Sequence, residues 1–263
     1  MGIAGAGNSG TVIAALVMPR LAQAFGWRAA IGLAMVPMAV AGLLFFLCAR
    51  DSPDQPARKT GREYAALLAQ ADTLWFCVFY SITFGGFVGL ASFLGILFRD
   101  QYGVAPVVAG DLLAACVFAG SFMRPVGGWL ADRRGGLPVL AVLYGAVALL
   151  LLGAASLPPL GLAAPLFIAA LALLGAGNGA VFQLVPLRFR THMGAVTGLV
   201  GAAGGLGGFL LPSALGVLKD VTGTYGSGLL VLALACLWGM TLVLAVSAGW
   251  RLTWAVDGGR VAG

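Results

Sequence analysis

The stretch "FAGSFMRPVGGWLADRRGG", residues 118–136, sets one arginine inside an apolar run and closes on a G-x-x-x-D-R-x-G pattern formed by Gly128, Asp132, Arg133 and Gly135. The apolar run ends near Asp132, eight residues past Arg124. At ~1.5 Å per helical residue that places Arg124 ~12 Å from the end of a helix, close to the middle of a ~30 Å hydrocarbon layer. An arginine there costs ~2.5–3.5 kcal/mol on insertion scales, so it needs a purpose or a partner. No carboxylate of the chain falls at its depth, since Asp111 lies near the opposite end of the same run. Arg124 either snorkels to a backbone carbonyl or receives an anion. Its planar fork of N–H donors suits a small planar oxyanion better than a lysine would. Gly128, Asp132, Arg133 and Gly135 fall at a helix–loop–helix junction, where the charges can act as a conformational latch between neighbouring helix ends.

Composition puts the whole chain in a membrane. Of 263 residues, 60% are hydrophobic and 9% are charged, far below the quarter that a water-soluble domain carries. The net charge of +6 comes from basic residues scattered between apolar runs, so no nucleic-acid partner is expected. The cysteines at 48, 77, 116 and 236 form no CxxC and read as small buried hydrophobes. With His192 the only histidine, no metal, cofactor or enzymatic constellation is expected.

Eight runs are long enough to span: Gly2–Arg20, Ala29–Cys48, Leu74–Phe98, Val108–Leu130, Val139–Leu157, Ala163–Leu187, Ala195–Leu218 and Leu229–Trp250. They are continuous rather than alternating, which predicts an all-α integral membrane protein. Residues 49–73 are the one long polar segment and read as a cytoplasmic linker. Two spans (1–48) precede it and six (74–250) follow, with a cytoplasmic tail at 251–263. This orientation puts ten basic residues inside and four outside, as the positive-inside rule requires.

Other polar or special residues share the depth of Arg124. Tyr80 and Phe84, four apart on one helix face, lie ~10–16 Å inside the third span. Asn178 and Phe182 share a face of the sixth, with Gln183 beside them. The run "GLVGAAGGLGGFLLP", residues 198–212, holds Gly205, Gly207 and Gly208 in a helix poor in side chains, which permits close approach by a neighbouring helix or a small ligand. "GAGN" occurs at 5–8 and again at 175–178. The two copies run through the membrane in opposite directions.

The G-x-x-x-D-R-x-G loop resembles the signature of the major facilitator superfamily. Together with "GAGNSG", "FYSITFGGFVGLASF", "GAGNGAVFQLVPLRF" and "TGLVGAAGGLGGFLLP" it is similar to the nitrate/nitrite porters of that superfamily. The resemblance implies a major facilitator fold in a bacterial cytoplasmic membrane, with these eight spans corresponding to family helices five through twelve. It implies secondary transport of nitrate or nitrite, by exchange or by proton-coupled uptake. Substrate binding then falls to Arg124, Tyr80, Phe84, Asn8 and Phe182; Asn178, by its depth either a substrate contact or a helix–helix hydrogen-bonding residue, and Gly205, Gly207 and Gly208, by their close approach, join them. The parallel halves of the superfamily would pair the first span with the seventh, so that a shift of 200 residues lays Asn8 over Gly208 and marks Asn8 as a polar insertion without a symmetry mate. The family's first four helices, with a second substrate arginine, have no counterpart here. The resemblance therefore implies a missing four-helix partner segment, a chain inactive alone, and a monomer when complete, surrounded by membrane lipid. Alternatives are a non-transporting remnant or assembly module, and a porter for another small anion.

Overall fold

The computed structural model describes residues 8–50 and 60–256. These form nine α-helices and no strand: α1 (Ser9–Phe25), α2 (Trp27–Cys48), α3 (Gly61–Leu68), α4 (Ala71–Tyr102), α5 (Pro106–Arg134), α6 (Gly136–Ala155), α7 (Leu160–Arg188), α8 (Met193–Thr222) and α9 (Gly226–Val256). Seven of them, α2 and α4 through α9, are long and apolar enough to cross a membrane. The first expected span is represented by α1, whose 17 residues are apolar but shorter. Residues 2–7 of that span lie outside the described residues. The fold is all-α, as the uninterrupted apolar runs require, because a backbone in hydrocarbon must satisfy its own hydrogen bonds.

Many large apolar side chains face outward, among them Phe118, Phe122, Val142, Leu149 and Trp238. That is the surface expected of helices bathed in lipid tails. Inside, the helices approach through small residues. α5 packs along α7, and α4 along α8. A Cβ on Gly127 would collide with the Ala176 backbone, one on Gly175 with Gly120, and one on Gly179 with the Arg124 carbonyl. Because lipid is as apolar as leucine, such backbone proximity replaces hydrophobic burial as the source of cohesion. α6 sits against α7 and α9, α1 against α5, and α2 chiefly against α1.

Local chemistry sets the ends of these helices. Gly135 joins α5 to α6 with φ of +87°, a conformation costly for any residue with a Cβ. The segment read as a linker contains α3, which starts with a capping box: Thr60 accepts from the Glu63 amide, and Glu63 accepts from the Thr60 amide. At one end of the bundle Asp72 accepts from Arg188 Nε at 2.5 Å and from Trp250 Nε1 at 2.8 Å. This ties the start of α4 to the ends of α7 and α9. At the opposite end Tyr225 donates to Asp100 at 2.8 Å. Burial first, and then the Asp100 carboxylate, push that phenol up to about 12.

Candidate anion site

Arg124 is the nineteenth of 29 residues in α5 and is buried, 8% exposed. Its neighbour Pro125 has no amide to return to the helix ladder. α7 crosses directly beside it, because Gly179 lets the two backbones touch. From the third span Tyr80 reaches the same point. Arg124 Nη2 donates to Tyr80 Oη at 3.0 Å. The match in depth expected from counting helical turns is therefore a contact.

Three rings frame the guanidinium. Tyr80 and Phe84 stack with ring centres 5.0 Å apart and planes 4° from parallel. Phe182 meets Tyr80 edge to face at 4.6 Å. Arg124 Cζ stands 5.4 Å from the Phe182 ring centre and 5.9 Å from that of Phe84, both within cation–π range. The bond to Tyr80 takes one of five guanidinium N–H donors. Among the described residues the ion pairs are Arg20–Asp111 and Arg188–Asp72, so Arg124 has no carboxylate. Arg124 is thus a buried cation held by one hydroxyl and aromatic faces, without the counter-charge that buried charges usually carry.

The other residues singled out in the sequence fall in different relations to this centre. Asn178 is buried to 1% exposure, and its Oδ1 has no hydrogen-bond partner among the described residues. It lies one turn from Phe182 on the same face of α7. Asn8 caps the N-terminus of α1 without a side-chain cap bond. The adjacent Ser9 helps line a cavity of about 480 Å³ with Ser121 and Pro125 of α5. Gly207 and Gly208 lie on α4: a Cβ on Gly207 would stand 2.8 Å from the Ser81 carbonyl, and one on Gly208 would stand 3.0 Å from Val88. Gly205 faces open space. In the loop pattern, Gly128 lies under the α7 crossing, Gly135 makes the turn, Arg133 stacks over Trp129 at 4.3 Å, and Asp132 is exposed. Asp132 enters neither of the described ion pairs.

Sequence reasoning passed over two residues that hold the aromatic frame. Gly204 lies against Tyr80 and Phe84: a Cβ there would come within 2.7 Å of Tyr80 Cε1 and 3.1 Å of Phe84 Cδ1. Ser81 donates to the Ala203 carbonyl at 2.9 Å and so pins α4 to α8 one residue from each of those contacts. The glycine-rich run pointed to a close approach, but only the helix rotation selects Gly204 as the residue beneath the rings.

The sequence profile of the Major Facilitator Superfamily matches residues 1–212. The chain belongs to the major facilitator superfamily. This facilitator is 33% identical over 244 residues to the nitrite extrusion protein of Bacillus subtilis, covering 92% of this chain and 62% of that protein. It is 34% identical over 241 residues to the probable nitrate/nitrite transporter NarK2 of Mycobacterium tuberculosis, covering 90% and 61%. It is 28% identical over 276 residues to the probable nitrate/nitrite antiporter NarK1 of Thermus thermophilus, covering 90% and 62%. The facilitator thus spans about three fifths of the length of these relatives. It is a multi-pass membrane protein of a family of transporters, not of enzymes.

Proposed function

We propose that this facilitator serves secondary transport of nitrate or nitrite across a bacterial cytoplasmic membrane, with its C-terminus in the cytoplasm. The observation that carries the reading is the buried Arg124, bonded to Tyr80 and walled by Phe84 and Phe182, with no carboxylate partner among the described residues. An anion entering this frame exchanges water for guanidinium N–H donors and the Tyr80 hydroxyl. The rings present flat faces to a flat trigonal ion and keep water away, which strengthens each charge-assisted bond. Asn178 and Asn8 add amide groups along the same path. The names of the relatives support nitrate and nitrite as the cargo.

Exchange of one anion for another fits better than proton symport. Every described carboxylate lies near a helix end: Asp72 and Asp100 on α4, Asp111 and Asp132 on α5, Asp220 on α8, and Glu63 on the short α3. None stands at the depth of Arg124 to carry a proton, and one relative bears the name antiporter. Calorimetric titration of the chain with nitrate tests the site. Arg124→Lys keeps the charge and loses the fork, so nitrate affinity falls about tenfold or more. Unchanged affinity removes Arg124 from the site.

A further inference from the structure

The phenol of Tyr80 meets Arg124 only while α4 is turned correctly about its own axis. A tyrosine hydroxyl stands roughly 9 Å from the axis of its helix, so a turn of about 10° moves it ~1.5 Å. That is enough to part a bond 3.0 Å long. Two side-chain bonds to different neighbours hold α4 against such a turn. One is the Ser81 hydroxyl on the Ala203 carbonyl of α8. The other comes from α6, where Tyr144 is 1% exposed and donates its hydroxyl to the Phe79 carbonyl at 2.7 Å. That carbonyl and the Tyr80 amide belong to one peptide unit, which is planar and stiff. Tyr144 thus grips the unit from which the Tyr80 side chain springs. It stands in the same layer of the membrane as the site: ~12 Å from the start of α6, where Arg124 is ~15 Å from the end of α5.

We propose that Tyr144 is a positioning residue of the anion site, which acts through the Phe79 carbonyl to hold the rotation of α4 that turns Tyr80 onto Arg124. The inference rests on reading that site as the one that binds nitrate or nitrite. Nothing in α4 itself asks for the bond. The Phe79 carbonyl faces the Thr83 amide, as in any α-helix, and accepts from Thr83 Oγ1 at 3.2 Å as well. A phenylalanine at 144 would fill the same space with no hydroxyl to satisfy in the core. Tyr144 is firmly seated, so it can serve as an anchor. α6 packs on α7 and α9, and a Cβ on Gly239 of α9 would stand 3.2 Å from the Tyr144 ring. A tyrosine hydroxyl has one proton to donate, and here the backbone of α4 takes it. Tyr144 therefore works on the anion only by way of Tyr80.

Two measurements on the 263-residue chain in lipid nanodiscs test this. The first needs no anion: 3-fluorotyrosine placed at position 80 reports the surroundings of that ring by fluorine NMR. Tyr144→Phe is expected to move the resonance, as Arg124→Lys does. Thr83→Val removes the other hydroxyl from the same carbonyl, but that hydroxyl lies within α4 and cannot fix its rotation, so the resonance stays in place. The second measurement is calorimetric titration with nitrate. Tyr144→Phe is expected to lower affinity about three- to tenfold. Tyr144→Phe combined with Tyr80→Phe then binds no more weakly than Tyr80→Phe alone, because both losses run through one hydroxyl. An unmoved resonance in Tyr144→Phe, an equal shift in Thr83→Val, or losses that multiply in the double variant overturns the proposal. A Tyr144→Phe chain that no longer folds overturns it too, since Tyr144 is then a packing residue. If the resonance moves as expected while the native chain binds no nitrate, the positioning stands and the nitrate reading falls.

Discussion

Arg124 is costly in a membrane and is kept inexpensive by its frame. Tyr80 is the residue that does two jobs there, since its ring stacks on Phe84 and its hydroxyl accepts from Arg124. Tyr80→Phe separates them. The ring stays against Phe84 and Phe182, so the thermal midpoint holds within a few degrees. The guanidinium loses its one described polar partner, so nitrate affinity falls roughly tenfold, the worth of a hydrogen bond to a charged group. Calorimetry for affinity and a thermal melt for stability check the split; equal losses in both make Tyr80 a packing residue. The shared depth of Arg124 and Tyr80 was legible in the sequence because both depths follow from counting turns back from a span's end. The edge-on approach of Phe182 was not, since spacing gives a face of a helix and never a ring angle.

At the scale of the helix, the glycine-rich segment of α8 separates into positions with different tasks. Gly204 lies under the Tyr80 and Phe84 rings, whereas Gly205 has nothing within 4 Å of an added Cβ. Gly204→Ala is expected to displace the rings and cost about 1–3 kcal/mol of stability, the usual penalty of overpacking, together with weakened nitrate binding. Gly205→Ala is expected to be neutral or to stabilise by up to about 1 kcal/mol, since alanine loses less backbone freedom in a helix. Paired thermal melts and titrations check this contrast, and equal effects of the two variants refute the assignment. The sequence announced a close approach along 198–212 without saying which face of α8 makes it. The capping box of α3, Thr60 to Glu63, was equally readable from its S/T-x-x-E spacing but lay in a segment read only as a linker.

The whole molecule is held at its two ends by groups from distant parts of the chain. Asp72 gathers α4, α7 and α9 at one end, while Arg20–Asp111 joins α1 to α5 at the other. In the loop that the sequence marks as a latch, Asp132 is exposed and Arg133 rests on Trp129. Among the described residues the site holds its anion-binding charge on one arginine, Arg124. We expect the 263-residue chain reconstituted in liposomes to show no nitrate uptake above protein-free vesicles, and robust uptake refutes this expectation.

By itself the sequence determined the solvent and the secondary structure. With 60% hydrophobic residues and 9% charged, the chain must live in lipid, and its continuous, non-alternating apolar runs must be helical there. It also determined which residues stand near the middle of the membrane, because depth along a helix is a matter of counting. The tertiary structure alone decided which of them meet. Rotation of each helix about its axis is set by contacts between glycines that come from separate helices, Gly175 on Gly120 and Gly207 near Gly85. Those contacts turn Tyr80 toward Arg124, put Gly204 beneath the rings and bring Arg20 to Asp111 across 91 residues of chain. No local pattern carries that information, because lipid offers an apolar helix no preferred side.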